Sequence, residues 1–432
     1  MGLDARQFTG ESAVNQVYRY GIAIAALLVV LMPAAMGAAA DKRLEGDALI
    51  PSPVFDAGDG VAGRSGSILF GNPPATFRSI PEVLPSRRVA PADKPSLLKE
   101  PTKPFEVHYT YGGASYALAD FVGRTDTTGL LILKGDQVLF EGYFLGADRQ
   151  DNFISFSTGK SFVSTLLALA IRDGKIASVE DPVVKYLPEV KGSAYGVARI
   201  RDLLQMSSGT SYSEEYEDAD SDIQQYVSLL NRSQGGIYDF ARSFKSARPP
   251  GQKFHYASTD TEVLGALIAR ATGKSLSAYM SEKLWKPIGA GAPARWVIDQ
   301  PGSAGREMAA GGLLIQLRDF GRFGLLFANG GKVQGKQILP EGWVEQATRP
   351  GSPQVDYGKL QPDYALGYGY QWWCLPGPHR SFTAQGIHGQ FVLVDPVEHV
   401  VVVKLSNWEH AWEDPKEAET YAFFSAVVAA LR

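Results

Sequence analysis

The sequence predicts an α+β fold, in which one antiparallel sheet is built from both ends of the chain and flanked by helices, with a helical lobe inserted between its halves. Three observations carry this reading. A compact strand hairpin comes early, at Leu130–Leu133 and Val138–Tyr143 around Gly135-Asp136. A long run of helical patterns follows it. The chain then returns to strands at Tyr368–Trp373, Phe391–Val394 and Val400–Leu405, and closes on the amphipathic stretch Tyr421–Leu431. Strands at both ends with helices between them fit one mixed sheet-and-helix unit better than an alternating parallel one.

Composition sets wide bounds. A chain of 432 residues, 45% hydrophobic and 20% charged, has ample core for one large two-lobed enzyme. A net charge of −4 without a basic run gives no case for nucleic acid. Cys374 is the single cysteine, so no internal disulfide or cysteine-based metal site is available. The six histidines show no metal-ligand spacing, and neither a metal nor a cofactor is expected.

Taken in order, the chain opens with Arg6 and Arg19 ahead of an uninterrupted apolar run, Ile22–Met32, then Pro33 and Ala38-Ala39-Ala40. That is the layout of a secretory signal cleaved after Ala40, which implies export to a periplasmic or secreted location. The alternative is an uncleaved membrane anchor at residues 21–40, which carry no charge. Residues 41–104 read as a proline- and glycine-rich extension. Its Phe70, Phe77, Ile80, Val83 and Leu84 suggest that it lies along the main domain, residues 105–432.

After the hairpin, Phe162, Val163, Leu166, Leu167, Ala170 and Ile171 form the buried stripe of a core helix that ends at Asp173-Gly174. IRDLLQM is a short helix closed by Ser207-Ser208-Gly209, and Tyr212–Asp222 is an acidic loop suited to the mouth of a site. Further helices are expected at Thr261–Ala271, Leu276–Leu284 and Ala309–Asn329, the last entered through Gly311-Gly312.

The chemistry concentrates where the first core helix begins, at Phe156-Ser157-Thr158-Gly159-Lys160-Ser161. If the helix starts near Ser157, Lys160 lies one turn away on the same face. The helix N-terminus favours developing negative charge, and a desolvated lysine has a lowered pKa, so the pair can activate a weak nucleophile. Two duller readings compete. One is a serine N-cap followed by a surface lysine. The other is a phosphate-binding loop, but Ile154 stands where that loop requires glycine.

Further motifs decide between them. The chain resembles the serine β-lactamase and penicillin-recognising hydrolases, above all the class C-like branch with its family VIII-type carboxylesterases and 6-aminohexanoate-dimer hydrolases. Ser157-Thr158-Gly159-Lys160 matches that family's S-x-x-K, Tyr256-Ala257-Ser258 its Y-x-N, and Ala384-Gln385-Gly386 its K-T-G. The DPVVKYLP and IRDLLQMSSGT segments and AAGGLLIQLRDFGRFG also resemble family stretches, and the likeness runs from about Phe70 to the C-terminus. It implies an acyl-enzyme on Ser157, with Lys160 and Tyr256 as the base system and the phenolate of Tyr256 favoured beside the Lys160 ammonium. It implies an oxyanion hole from the backbone N–H groups of Ser157 and Ile387. The substrate would be a small ester or amide.

Serine replaces asparagine at Ser258, and Ala384 and Gln385 replace the lysine and threonine that meet a β-lactam carboxylate. A β-lactamase or D-Ala-D-Ala carboxypeptidase is therefore the second reading. A non-catalytic binding or sensor module is the third, although Ser157, Lys160 and Tyr256 are all retained. Tyr216 stands where 6-aminohexanoate-dimer hydrolases place a substrate-contacting tyrosine; Ser258, Gln385, Gly386, His388 and His410 are further candidates for the pocket. The alternative for each histidine is a satisfied structural role. Glu214, Glu215, Asp218, Asp220 and Asp222 either attract a cationic amine or form a solvated loop. Trp372, Trp373, Trp408 and Trp412 divide between pocket and core.

Overall fold

The computed structural model describes Phe77, Ile80 and residues 84–432 apart from Asp363; the signal or anchor expected at residues 1–40 lies outside the described residues. In chain order the first elements are β1 (Ser86–Val89), the hairpin β2 (His108–Tyr111) and β3 (Ala114–Ala117), and α1 (Leu118–Arg124). The hairpin β4 (Thr127–Lys134) and β5 (Gln137–Tyr143) follows, then β6 (Phe153–Ile154) and α2 (Gly159–Arg172). The lobe contains α3 (Ile200–Leu204), α4 (Asp222–Arg232), α5 (Ile237–Ala241), α6 (Ser258–Thr272) and α7 (Leu276–Met280). Next come β7 (Ala294–Val297), β8 (Leu313–Ile315), α8 (Leu317–Ala328), the short pair β9 (Lys332–Val333) and β10 (Lys336–Gln337), and α9 (Trp343–Ala347). The chain returns through β11 (Gly367–Tyr368), β12 (Trp373–Cys374), β13 (Phe382–Gly386), β14 (Gln390–Asp395) and β15 (Val400–Ser406) to α10 (Asp414–Ala430).

The main sheet has seven antiparallel strands in the order β11-β12-β13-β14-β15-β4-β5. Its seam is β15 on β4, where Val402 faces Ile132 and Val403 faces Leu131, so both chain ends do build one sheet. The side-chain period of two sends Leu130 and Ile132 toward Phe423 and Phe424 of α10. Leu131 and Leu133 face Phe320 and Phe323 of α8 on the other side. Both faces are covered by helices, which is why the strands read as unbroken apolar runs rather than alternating ones. Gly324 lets α8 come close, because a Cβ there would lie 2.5 Å from Val401.

Three elements differ from expectation. Ala309–Asn329 is not one helix: Leu313-Leu314-Ile315 is a buried strand paired with β6 and β7, and the helix starts at Leu317. A short apolar run suits strand and helix alike, and strand partners on either side decide it here. Tyr368–Trp373 splits into β11 and β12 around a turn in which Gln371 adopts φ 61°. The closing helix begins at Asp414, well before Tyr421. A second sheet, β1-β7-β8-β6, lies in the lobe. Through β1 and the buried Ile80 and Leu84, the end of the proline- and glycine-rich segment is built into that lobe.

Lys404 of β15 is fully buried, with its Nζ 4.8 Å from the Trp408 ring and 5.6 Å from Phe391, and hydrogen-bonded to Ser406. Burial drives its pKa well below the ordinary lysine value. The unfolded chain therefore binds this proton more tightly, and stability falls as pH drops below the free-lysine value of about 10. Lys404→Met is expected to stabilise the protein by about 1–3 kcal/mol at pH 7, and by less at pH 10. Thermal unfolding at the two pH values checks both the sign and the trend.

Candidate active site

Ser157 stands in a tight turn, Phe156–Thr158, that runs directly into α2. The turn is pinned by the Thr158 hydroxyl, which donates to the Ser155 carbonyl at 2.8 Å, and by the Ser155 N–H, which donates to Leu313 of β8 at 2.7 Å. Two glycines let neighbouring backbone reach it. A Cβ at Gly311 would lie 3.0 Å from the Phe156 carbonyl carbon, and one at Gly386 would lie 2.7 Å from the Ser155 oxygen and 3.1 Å from the Ser157 nitrogen. The end of β13 is thus laid against the N–H of Ser157, with Ile387 the next residue.

One turn along, Lys160 is almost fully buried, and its Nζ donates to Ser157 Oγ at 2.7 Å and to the Ala310 carbonyl at 3.0 Å. Loss of water lowers its pKa to about 8, against the opposing pull of Glu214 and Glu262. Glu262 of α6 accepts from the Ala310 N–H at 2.8 Å and from the Tyr226 hydroxyl, and burial raises its pKa to about 7. Tyr256 completes the group: its hydroxyl is hydrogen-bonded to Ser157, and its ring centroid lies 5.0 Å from Lys160 Nζ. Trp373 stacks on the Tyr256 ring at 5.8 Å. Burial, then the Glu214 charge, push the phenol pKa up, with the Ser157 hydrogen bond acting weakly the other way.

Glu214 ties the acidic loop to this group. Its carboxylate accepts from the Ser258 N–H and hydroxyl, the latter at 2.7 Å, and from the Tyr216 hydroxyl at 2.6 Å. A serine hydroxyl touched by both a phenol and an amine of lowered pKa can be deprotonated near neutral pH, with donors close to where an oxyanion would form.

The family model described as Beta-lactamase matches residues 117–426. The chain belongs to the beta-lactamase family. It is a hydrolase of the beta-lactamase fold, and named hydrolases are among its relatives. The 6-aminohexanoate-dimer hydrolase of Paenarthrobacter ureafaciens is 30% identical over 343 residues, spanning 77% of this chain and 84% of that protein. A Bacillus anthracis structure, provisionally a 6-aminohexanoate-dimer hydrolase, superposes with a TM-score of 0.73 at 24% identity, covering 82% of this chain and 94% of the other. A family VIII carboxylesterase structure gives a TM-score of 0.55 at 17% identity, covering 71% and 94%. At these identities the two structures speak for the fold.

Within this beta-lactamase-family hydrolase, Ser157, Lys160 and Tyr256 come together, with Tyr216, Ser258 and Gly386 close by. Gln385 does not join them. Alternation along β13 turns its side chain the other way, where its amide bonds the Tyr421 hydroxyl of α10. His410 is exposed on the loop after β15. His388 is buried, and its Nδ1–H donates to the Trp408 carbonyl at 3.0 Å. The phenolate expected at Tyr256 is opposed by that residue's surroundings, which favour the protonated phenol. Of the tryptophans, Trp373 meets Tyr256, while Trp372 and Trp408 are core. Glu215, Asp218 and Asp220 are exposed.

Sequence reasoning gave Glu262 no place at the site, and Glu214 only that of one acid among five in the loop at its mouth. Glu262 sits four residues after Ser258, on the same helical face, which was the available signal. Among the described residues, no cluster of histidine, cysteine and acidic side chains could hold a metal.

Proposed function

We propose that this hydrolase cleaves an ester or amide bond of a small substrate through an acyl-enzyme on Ser157, with Lys160 as first base and Tyr256 as proton relay. The observation that carries the reading is the 2.7 Å contact between Lys160 Nζ and Ser157 Oγ, made by a buried amine whose pKa is lowered to about 8. Neutral Lys160 takes the serine proton as Oγ adds to the carbonyl carbon. The oxyanion draws on the N–H groups of Ser157 and Ile387. As the bond to the leaving group breaks, Tyr256 gives that group a proton and recovers one from Lys160. Water then attacks the acyl-serine by the same route in reverse and returns the acid.

Two points favour linear esters and amides over β-lactams. Ala384 and Gln385 supply no cation for a lactam carboxylate, and Gln385 is turned away. A relative of 30% identity is named a 6-aminohexanoate-dimer hydrolase. The test is presteady-state hydrolysis of p-nitrophenyl butyrate beside a linear 6-aminohexanoate amide and a fluorescent penicillin. A stoichiometric burst with the ester, turnover of the amide and no penicillin label are expected. Penicillin labelling with no ester burst would overturn the reading.

Glu262 supplies a prediction of its own. Its carboxylate favours the protonated form of Lys160. Glu262→Gln removes that support, lowers the pKa of Lys160 further, and moves the rising limb of kcat/KM against pH toward lower pH. A pH profile from 5.5 to 9.5 checks the direction.

A further inference from the structure

We propose that Phe77, from the proline- and glycine-rich segment ahead of the main domain, is a positioning residue for the oxyanion hole. The inference rests on the reading above, in which Ser157 and Ile387 supply the two donors. Each donor has a neighbour in a strained backbone state: Phe156, just before Ser157, has φ 42°, and His388, just after Ile387, has φ 59°. Left-handed conformations of non-glycine residues cost about 1–3 kcal/mol and persist only where their surroundings enforce them.

The enforcement is a closed triangle of rings. Phe156 and His388 lie 5.3 Å apart between centroids, and Phe77 contacts Phe156 at 5.1 Å and His388 at 5.0 Å. The Phe77–Phe156 pair meets edge to face, an arrangement that adds to simple burial. Phe77 is buried, and it shares an apolar cluster with Ile387, Phe156 and Ala257. Gly386 also packs against the serine turn, beside Ser155 and Ser157, while the hydrogen bonds at His388 act on one side only. His388 is tethered by its N–H to Ala411 and by its ring to Trp408, and Gln390 Nε2 donates to the His388 carbonyl at 2.9 Å. Those bonds fix the β13–β14 turn without reference to the serine turn. The third ring touches both, and so braces the spacing between the two donors.

A displaced donor weakens stabilisation of the transition state more than binding of the substrate. Phe77→Ala is therefore expected to lower kcat for p-nitrophenyl butyrate by about 10- to 100-fold per active site, with KM within about two-fold. Active sites are counted with a fluorophosphonate, so loss of folded protein does not enter. Affinity for a boronic acid, which forms a tetrahedral adduct on a serine, should fall by a similar factor. Phe77→Leu keeps the apolar bulk and should restore kcat to within about five-fold. Normal kcat per titrated site in Phe77→Ala overturns the proposal whatever its effect on thermal stability, as does unchanged boronate affinity. Absence of any burst in the wild-type protein would instead count against the acyl-enzyme reading itself.

Discussion

Ser157→Ala is expected to lower turnover of p-nitrophenyl butyrate by at least about 10,000-fold and to abolish both the burst and fluorophosphonate labelling. The substitution removes an atom that Lys160 and Tyr256 both address. What it leaves is a buried amine still bound to the Ala310 carbonyl at 3.0 Å and a phenol still stacked on Trp373. The cost to folding should therefore be that of two hydrogen bonds, about 2 kcal/mol, because Ser157 is only half-buried and the Thr158–Ser155 bond holds the turn independently. A large loss of rate in a folded variant separates a reacting hydroxyl from an N-cap. An N-cap serine replaced by alanine would keep normal turnover and lose about 1 kcal/mol of stability. Turnover decides between the two, and thermal unfolding of the same sample checks that the variant is folded. An alanine variant that keeps more than about one hundredth of wild-type turnover would remove Ser157 from the chemistry.

The parts of the fold and site that were legible in the sequence are those governed by local pattern. The runs Leu130–Leu133 and Val400–Leu405 declared themselves as strands, and they pair with each other across the sheet seam. Ser157 and Lys160 were placed on one face by helical spacing alone, and they meet at 2.7 Å. What spacing could not supply was environment. Gln385 occupies a motif position, yet the pleat sends it to Tyr421. The strand β8 was hidden because Leu313-Leu314-Ile315 abuts a helical run and owes its state to partners, β6 and β7, that are distant in sequence. Helix α4 is not among the expected helices although Ile223, Tyr226, Val227 and Leu230 carry a helical period, because it is short and starts within the acidic run, at Asp222. Tyr256 is the sharpest case. A lysine beside a phenol argues for phenolate, whereas complete burial and the Glu214 charge argue against it, and only the folded chain shows which is larger.

Lys160→Arg is expected to be nearly as inactive as Lys160→Ala, each losing about 100- to 10,000-fold in kcat/KM. The comparison isolates the proton from the charge. If Lys160 worked by holding positive charge beside Ser157, a guanidinium would retain much of the activity. A base must become neutral, and a guanidinium does not do so at any accessible pH. In the wild-type enzyme the same argument fixes the pH profile. Burial lowers the lysine pKa to about 8, so with neutral Lys160 as the base kcat/KM should rise ten-fold per pH unit below that value and level off above it. Small primary amines should partly restore Lys160→Ala, since the substitution leaves a buried space ending at Ser157, and rescue should track the free-base concentration of the amine. Tyr256→Phe provides the counter-test. It removes the relay but leaves the first base in place, so its pH profile should keep the limb near pH 8 at a reduced plateau. If Tyr256→Phe erased that limb while Lys160→Arg kept it, the phenol would be the first base and the lysine its electrostatic partner.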